Sequence, residues 1–316
     1  MDFSDIKGVV STEDLNSITF KTSSQSLIVV RFNCNDIEFT DEYEPSQGKI
    51  DIFGLGDYLA AVSNGTAVKF SLFIYIKGSL PQIDSNSYRE AVAVTSKLHL
   101  VNPALPEIKG KFLAATNKMV VPVGAPVSLS IIGYEEEAVL NSNISILPVM
   151  NGEAAQYDFN IPDAPGLHVV TAGEAKFYFF ASCMQNPVQI YCRNLFNAPQ
   201  YLYCDGNFKL VNARSASVAK VGGSQTEFDI NSYSEVEVSA IGITQMQMTH
   251  FSALPLAREF KINGLECSID ELKTEHSHNA TEAYNIKINA ALDIPFVGAL
   301  DFYSKIFTTQ YKSQFS

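Results

Sequence analysis

The sequence predicts a mainly β chain, built as tandem β-sandwich or barrel-like domains with two or so short helices. Three observations carry that expectation. Apolar, β-branched and aromatic residues alternate with polar ones at a period of two through most of the chain. Gly, Pro, Asn and Asp interrupt these runs at short intervals, as turns do. Only two segments carry a helical period.

In chain order, strands are expected at residues 17–22, 27–34, 36–40, 49–53, 68–76 and 90–101. The first helix is expected at 54–63. Leu55, Tyr58, Leu59 and Val62 share a helical face there, and Asn64-Gly65 supplies a stop. Further strands follow at 127–132, 144–149, 156–161, 175–181 and 188–191. Val221-Gly222-Gly223-Ser224 reads as a turn before a strand at 225–230, because a phosphate cradle needs more glycines, a Lys and a following helix. The second helix is expected at 244–254, with Thr244 as N-cap, Met246, His250, Phe251 and Leu254 on one face, and Pro255 just beyond. Asn263-Gly264 then joins strands 259–262 and 265–269 as a tight hairpin. A last long strand is expected at 282–292.

At about 150 residues per domain, 316 residues make roughly two domains. The best break lies near 182–187. It divides an N-terminal β-rich region, 1–185, from a C-terminal sandwich-like domain, 186–316. A weaker break at the Pro-rich patch 102–106 splits the first region into two sub-domains. With 46% hydrophobic residues, wholesale disorder is excluded. A net charge of −12 without any dense Lys/Arg run excludes ordinary nucleic-acid binding, which needs clustered positive charge. The start, Met1-Asp2-Phe3-Ser4-Asp5-Ile6, lacks the basic and apolar segments of a secretory signal. The most apolar run, 67–76, is broken by Lys69 and Ser71 and suits a strand rather than a membrane span. The chain is therefore expected to stay in a cytoplasm or to leave it without a signal peptide.

Five cysteines, Cys34, Cys183, Cys192, Cys204 and Cys267, match no metal spacing and read as reduced thiols in apolar strands. Cys192 and Cys204 flank an expected turn, so a disulfide across a hairpin is the alternative. His276 and His278 would share a face in a strand and could chelate a metal, but the polar stretch 273–281 reads as a solvated loop and no third ligand is placed. His250 reads as a core histidine. Glu135-Glu136-Glu137 and Asp41-Glu42-Tyr43-Glu44 read as solvated loop faces rather than a paired-carboxylate site. The sequence has no Gly-x-Ser-x-Gly elbow and no local signature of a Ser/His/Asp or Cys/His site. No catalytic, cofactor-binding or metal residue is assigned.

Two stretches carry a family resemblance. The first is Glu42-Tyr43-Glu44-Pro45, Gly48-Lys49-Ile50-Asp51-Ile52 and Leu55-Gly56-Asp57-Tyr58-Leu59, preceded by Ile28-Val29-Val30-Arg31-Phe32. The second is Ile190-Tyr191-Cys192-Arg193-Asn194-Leu195-Phe196-Asn197-Ala198-Pro199, then Tyr203-Cys204-Asp205-Gly206. These resemble β-rich tail and baseplate proteins of phages and prophages from gut Bacteroidales. The family carries a Trp near the helix before the final hairpin; here Thr244–Phe251 has none.

The resemblance implies a non-enzymatic virion component, assembled in the host cytoplasm through homo-oligomeric contacts and contacts to other tail or neck proteins. A surface-glycan recognition module is the alternative, with an aromatic-lined groove as its signature; a polysaccharide hydrolase ranks below both. Rings at Phe296, Phe302, Tyr303, Phe307, Tyr311 and Phe315 make 293–316 a last strand and short helix returning to the core or, as the functional alternative, a docking arm on a neighbouring subunit.

Overall fold

The computed structural model describes residues 1–63, 65–84, 86–100, 108–221, 224–276 and 284–292, with the side chains of 212–221, 224–233, 241, 275 and 276 left aside. The weaker break at 102–106 and the candidate arm 293–316 lie outside the described residues. The architecture is mainly β, in several sheets and one barrel.

The first third contains β1 (Gly8–Ser11), β2 (Ser17–Lys21), β3 (Ile28–Cys34), β4 (Ile37–Tyr43), β5 (Lys49–Phe53), α1 (Leu55–Val62), β6 (Ala67–Ile76) and β7 (Tyr88–Val94). Its five-stranded sheet runs β1-β7-β6-β3-β4, antiparallel except for the β1–β7 pair. The period of two decides what is buried: Val30, Phe32 and Cys34 on β3, and Phe70, Leu72 and Ile74 on β6, enter the core. The β2–β5 ribbon contributes Ile18, Ile50 and Ile52 to the same core, and α1 contributes Leu55 and Leu59. The strand expected at 90–101 stops at Val94. The acidic segment beginning at Asp41 is the exposed end of β4, not a loop.

The middle third contains β8 (Lys118–Pro122), β9 (Pro126–Ile132), β10 (Ala138–Leu140), β11 (Ile144–Ile146), β12 (Val149–Asn151), β13 (Ala154–Asn160), β14 (Gly166–Ala172) and β15 (Ala175–Ser182). Two sheets form, β11-β10-β14-β15-β8 and β12-β13-β9. Met119, Val121, Leu129, Ile131, Tyr157 and Val170 fill their core with Phe177 and Phe179. Tyr157 is fully buried and its hydroxyl donates to the Glu136 carbonyl at 2.7 Å, as a buried phenol must. The single strand expected at 144–149 is two strands, because Leu147-Pro148 carries the chain from one sheet to the other.

The last third closes on itself. It contains β16 (Pro187–Arg193), β17 (Pro199–Val221), β18 (Ser224–Ile243), α2 (Gln245–Phe251), β19 (Arg258–Ile262), β20 (Leu265–His276) and β21 (Tyr284–Leu292). The strands make an antiparallel barrel in the order β16-β17-β18-β21-β20-β19, where the sequence reading has a sandwich. β16 pairs with both β17 and β19, which removes the sheet edges. Register shifts at Tyr191/Arg193, Ala240/Ile243 and Ile269/Glu271 supply the curvature that closure needs. The Asn263-Gly264 hairpin has φ of 49° and 82°, the positive pair of a type I′ turn. Residues 273–276, expected in a loop, belong to β20 because β21 pairs with them through His276↔Tyr284. Among the described residues, the strand pairing of 212–221 and 224–233 is with each other, a ribbon running past the barrel by about 33 Å at 3.3 Å per residue.

The three parts meet at the turn between β16 and β17. Asn194 is 7% exposed. Its Oδ1 accepts from the amides of Phe196 (2.9 Å) and Ala198 (3.2 Å), which folds the turn. Its Nδ2 donates to the Leu113 carbonyl (2.7 Å) and to Gln200 Oε1 (3.1 Å). Leu195, Phe196 and Ala198 are thereby pressed into a seam with Ala67 and Val94 of the first sheet and Ile132 and Ala154 of the second region. Thr66 Oγ1 donates to the Asn197 carbonyl at 3.2 Å, and Thr66 N donates to Asn151 Oδ1 at 3.2 Å. Gly152 sits at φ 65°, and a Cβ there would run into the Ala67 carbonyl oxygen.

Asn194→Ala removes a partner from two buried carbonyl oxygens, those of Leu113 and the Gln200 side chain, and from the two buried amides of Phe196 and Ala198. It is expected to cost about 2–4 kcal/mol in denaturant unfolding. Gly152→Ala, strained and clashing at once, is expected to cost about as much. A change below about 0.5 kcal/mol for both would contradict this account of the seam.

Candidate functional site

A cleft of about 740 Å³ opens between the outer face of the barrel and the sheet β12-β13-β9. Antiparallel register builds its barrel wall. Tyr191 on β16 stands opposite Tyr201 on β17 and Lys261 on β19. Their neighbours Ile190, Leu202 and Ile262 point into the barrel, so these three side chains must point out. The two tyrosine rings lie with centroids 5.2 Å apart, tilted by 58°. The facing wall is β13. Ala155 and Tyr157 fill the sandwich core, which leaves Gln156, Asp158 and Asn160 on the cleft side.

Tyr203 holds the floor. Its hydroxyl donates to the Pro126 carbonyl at 2.6 Å and accepts from Gln189 Nε2 at 3.0 Å, and burial pushes its pKa up to about 12. Gln156 accepts from Asn151 Nδ2 (3.0 Å) and donates to Asp158 Oδ2 (2.7 Å). At one end Arg193 Nε meets Glu259 Oε2 at 2.7 Å. Glu259 lies on the β19 bulge at φ 52°, a conformation costing a non-glycine residue about 1–2 kcal/mol. Lys261 is paired with Glu266 at 2.8 Å. The hydroxyls of Tyr191 and Tyr201 and the amide of Asn160 have no hydrogen-bond partner among the described residues. Burial raises the Tyr191 pKa, so its hydroxyl stays protonated and able to donate.

A second surface lies at the open edge of the sandwich. β11 is the last strand of one sheet and β12 the last strand of the other. Ile144, Leu147, Val149 and Met150 are 45, 75, 64 and 47% exposed along this short stretch.

The structure separates most residues singled out from the sequence. Cys192 pairs with Gln200 and Cys204 with Val188, four residues apart along the ladder. That offset of about 13 Å exceeds the span of a disulfide. None of the five cysteines is in a disulfide; burial pushes Cys192 and Cys204 up to about 12, and Cys183 alone is exposed. Glu135, Glu136 and Glu137 are exposed, as expected. His278 lies outside the described residues. Among the described residues no group of three or more His, Cys, Asp or Glu could hold a metal, and no helix is long and apolar enough to cross a membrane.

His250 is buried, as expected of a core histidine. On its helix Met248 is buried and Met246 only half-buried, so the inner face is rotated from the expected one. Thr244 caps α2 reciprocally with Gln247. His250 Nδ1 faces Gln200 Nε2 at 3.1 Å and Nε2 faces the Lys118 carbonyl at 2.8 Å. These partners assign a neutral ring protonated on Nε2, and burial lowers its pKa below the usual 6.5. The cleft tyrosines were missed as a site. The available signal was Tyr191, Tyr201 and Tyr203 at matching parity on two strands of one hairpin.

No family model matches the chain, and no curated protein matches it. Among solved structures, it overlaps a Cu-containing nitrite reductase from Thermus scotoductus at 9% identity and a TM-score of 0.20, spanning 57% of this chain and 56% of that one. It overlaps the Bacteroides ovatus mixed-linkage glucan utilization locus protein SGBP-B, solved with a mixed-linkage heptasaccharide, at 8% and 0.23, over 90% and 74%. It overlaps the I9–I11 tandem of titin at 11% and 0.17, over 92% and 93%. At TM-scores this low the overlaps carry no inference.

Two outcomes check this geometry. A thiol reagent should label Cys183 alone in the native protein and all five cysteines after unfolding; only three labelled after unfolding would mean a disulfide. Because the native state resists protonating His250, the unfolded chain binds more protons below pH 6.5, and stability falls as the pH drops from there. The fall in Tm between pH 6.5 and about 5 should flatten in His250→Gln; an unchanged slope would contradict the neutral assignment.

Proposed function

We propose that the chain is a non-enzymatic structural subunit of a virion, a phage tail or baseplate component that assembles through contacts between its own copies. The observation that carries this reading is the sandwich edge at β11 and β12. Backbone groups of two sheet ends and four large apolar side chains are presented together there. An uncovered apolar strand edge is a template for another chain, and monomeric proteins normally blunt it with charge or cover. A contact between like copies gives closed symmetric assemblies.

Four side chains of about 100 Å² each fall short of the roughly 800 Å² per partner of a stable interface. The ribbon of residues 212–221 and 224–233 extends beyond the barrel ladder and adds the remaining surface. A charge of −12 keeps the free subunit soluble until it assembles. The resemblance of the Glu42–Leu59 and Ile190–Gly206 stretches to Bacteroidales phage tail proteins supports the virion setting.

Light scattering with negative-stain imaging of the purified chain should give a closed oligomer, a ring or a trimer. Leu147→Asp combined with Val149→Asp should shift the mass to the monomer without lowering Tm. A wild-type monomer up to about 100 µM, or an oligomer indifferent to both aspartates, would overturn the reading.

A further inference from the structure

We propose that the cleft between the barrel and the β12-β13-β9 sheet is a binding site for a neutral oligosaccharide. The residues on its walls fit that chemistry and disfavour others. Tyr191 and Tyr201 present half-buried rings whose faces cover the C–H surfaces of a sugar, and their unpartnered hydroxyls reach toward its oxygens. Across the gap, Gln156, Asp158 and Asn160 offer amide and carboxylate groups at alternate positions of one strand, roughly 6.6 Å apart per step. Such a row suits a repeating chain of hydroxyls better than a single compact ligand.

Charge narrows the class. Arg193 is neutralised by Glu259 and Lys261 by Glu266, so neither is left to hold a phosphate, sulfate or uronate. Asp158 keeps its carboxylate on the wall, where it accepts from hydroxyls and repels anions. Besides the tyrosines, Pro126, Val127, Phe159 and Pro199 line the space among polar side chains on both walls, a mixture that suits a sugar, with its C–H faces and hydroxyls, better than a wholly apolar lipid. The walls are preorganised: Tyr203 is pinned at both its donor and acceptor sides, and Gln156 is held from two directions. The strained bulge at Glu259 fixes Arg193 at the cleft end. The proposal is independent of the assembly reading, because it concerns a cleft within one chain.

The test is calorimetric titration of the full chain with cellohexaose, maltohexaose, xylohexaose and mannohexaose, and with a galacturonate hexamer as the anionic comparison. At least one neutral hexasaccharide should bind with a Kd between about 10 µM and 1 mM, and the galacturonate at least about tenfold more weakly. Tyr191→Ala and Tyr201→Ala should each raise Kd at least about tenfold, and Tyr191→Phe by less. Asp158→Asn and Asn160→Ala, at exposed positions that leave folding intact, should each raise it about threefold or more. The proposal is overturned if no neutral member binds at about 5 mM, if binding survives both tyrosine truncations, or if the anionic hexamer binds best.

Discussion

The arrangement of this protein depends on one buried hydrogen-bonded relay. Asn194 donates to Leu113 and to Gln200; Gln200 donates to His250; His250 donates to Lys118. The relay starts in the β16–β17 turn, crosses β17 and α2, and ends on β8. Every donor faces an acceptor only if His250 is neutral, and burial enforces that state. A buried polar chain of this kind adds little net energy when satisfied and costs much when broken. It therefore specifies one docking of barrel on sandwich, while the apolar seam around Leu195 and Phe196 supplies the burial.

That docking determines what the surface offers. The barrel has no open edge at β16, so its outer face is free to present side chains rather than unpaired backbone. The sandwich places β13 opposite that face, and the cleft exists only because the relay and the seam hold the two at a fixed separation. The sandwich meanwhile leaves β11 and β12 uncovered at its far end. The cleft proposed for recognition and the edge proposed for assembly are thus lined by different residues of one frame.

Much of the fold was legible in the sequence. The period of two located β3, β5, β6, β9, β13 and β15 within two or three residues, and Thr244 and Asn263-Gly264 marked the α2 start and the β19–β20 turn. What was hidden was non-local. Barrel closure follows from β16 pairing with β19 across an intervening 64 residues of chain, a relation no local pattern expresses. No strand was expected within β17 and only 225–230 within β18; Asn212 to Ser217 and Asn231 to Ser234 lack an alternating apolar stripe. β14 was obscured by His168 and Thr171 within its alternation. Reduced thiols were the reading of the cysteines, and register rules out the Cys192–Cys204 alternative that spacing left open. The second motif stretch was visible as a pattern, but its role as a junction required seeing what Leu195, Phe196 and Ala198 touch.

The most direct measurement is native-state hydrogen exchange at the amides of Phe196 and Ala198, the two donors to Asn194 Oδ1. If this turn is part of the common core, both amides exchange as slowly as Ile190 and Leu202 in the barrel wall, through global unfolding. Exchange of Phe196 and Ala198 at the rates of a surface loop, with the barrel still protected, would contradict the claim that the β16–β17 turn built on Asn194 holds the three parts together.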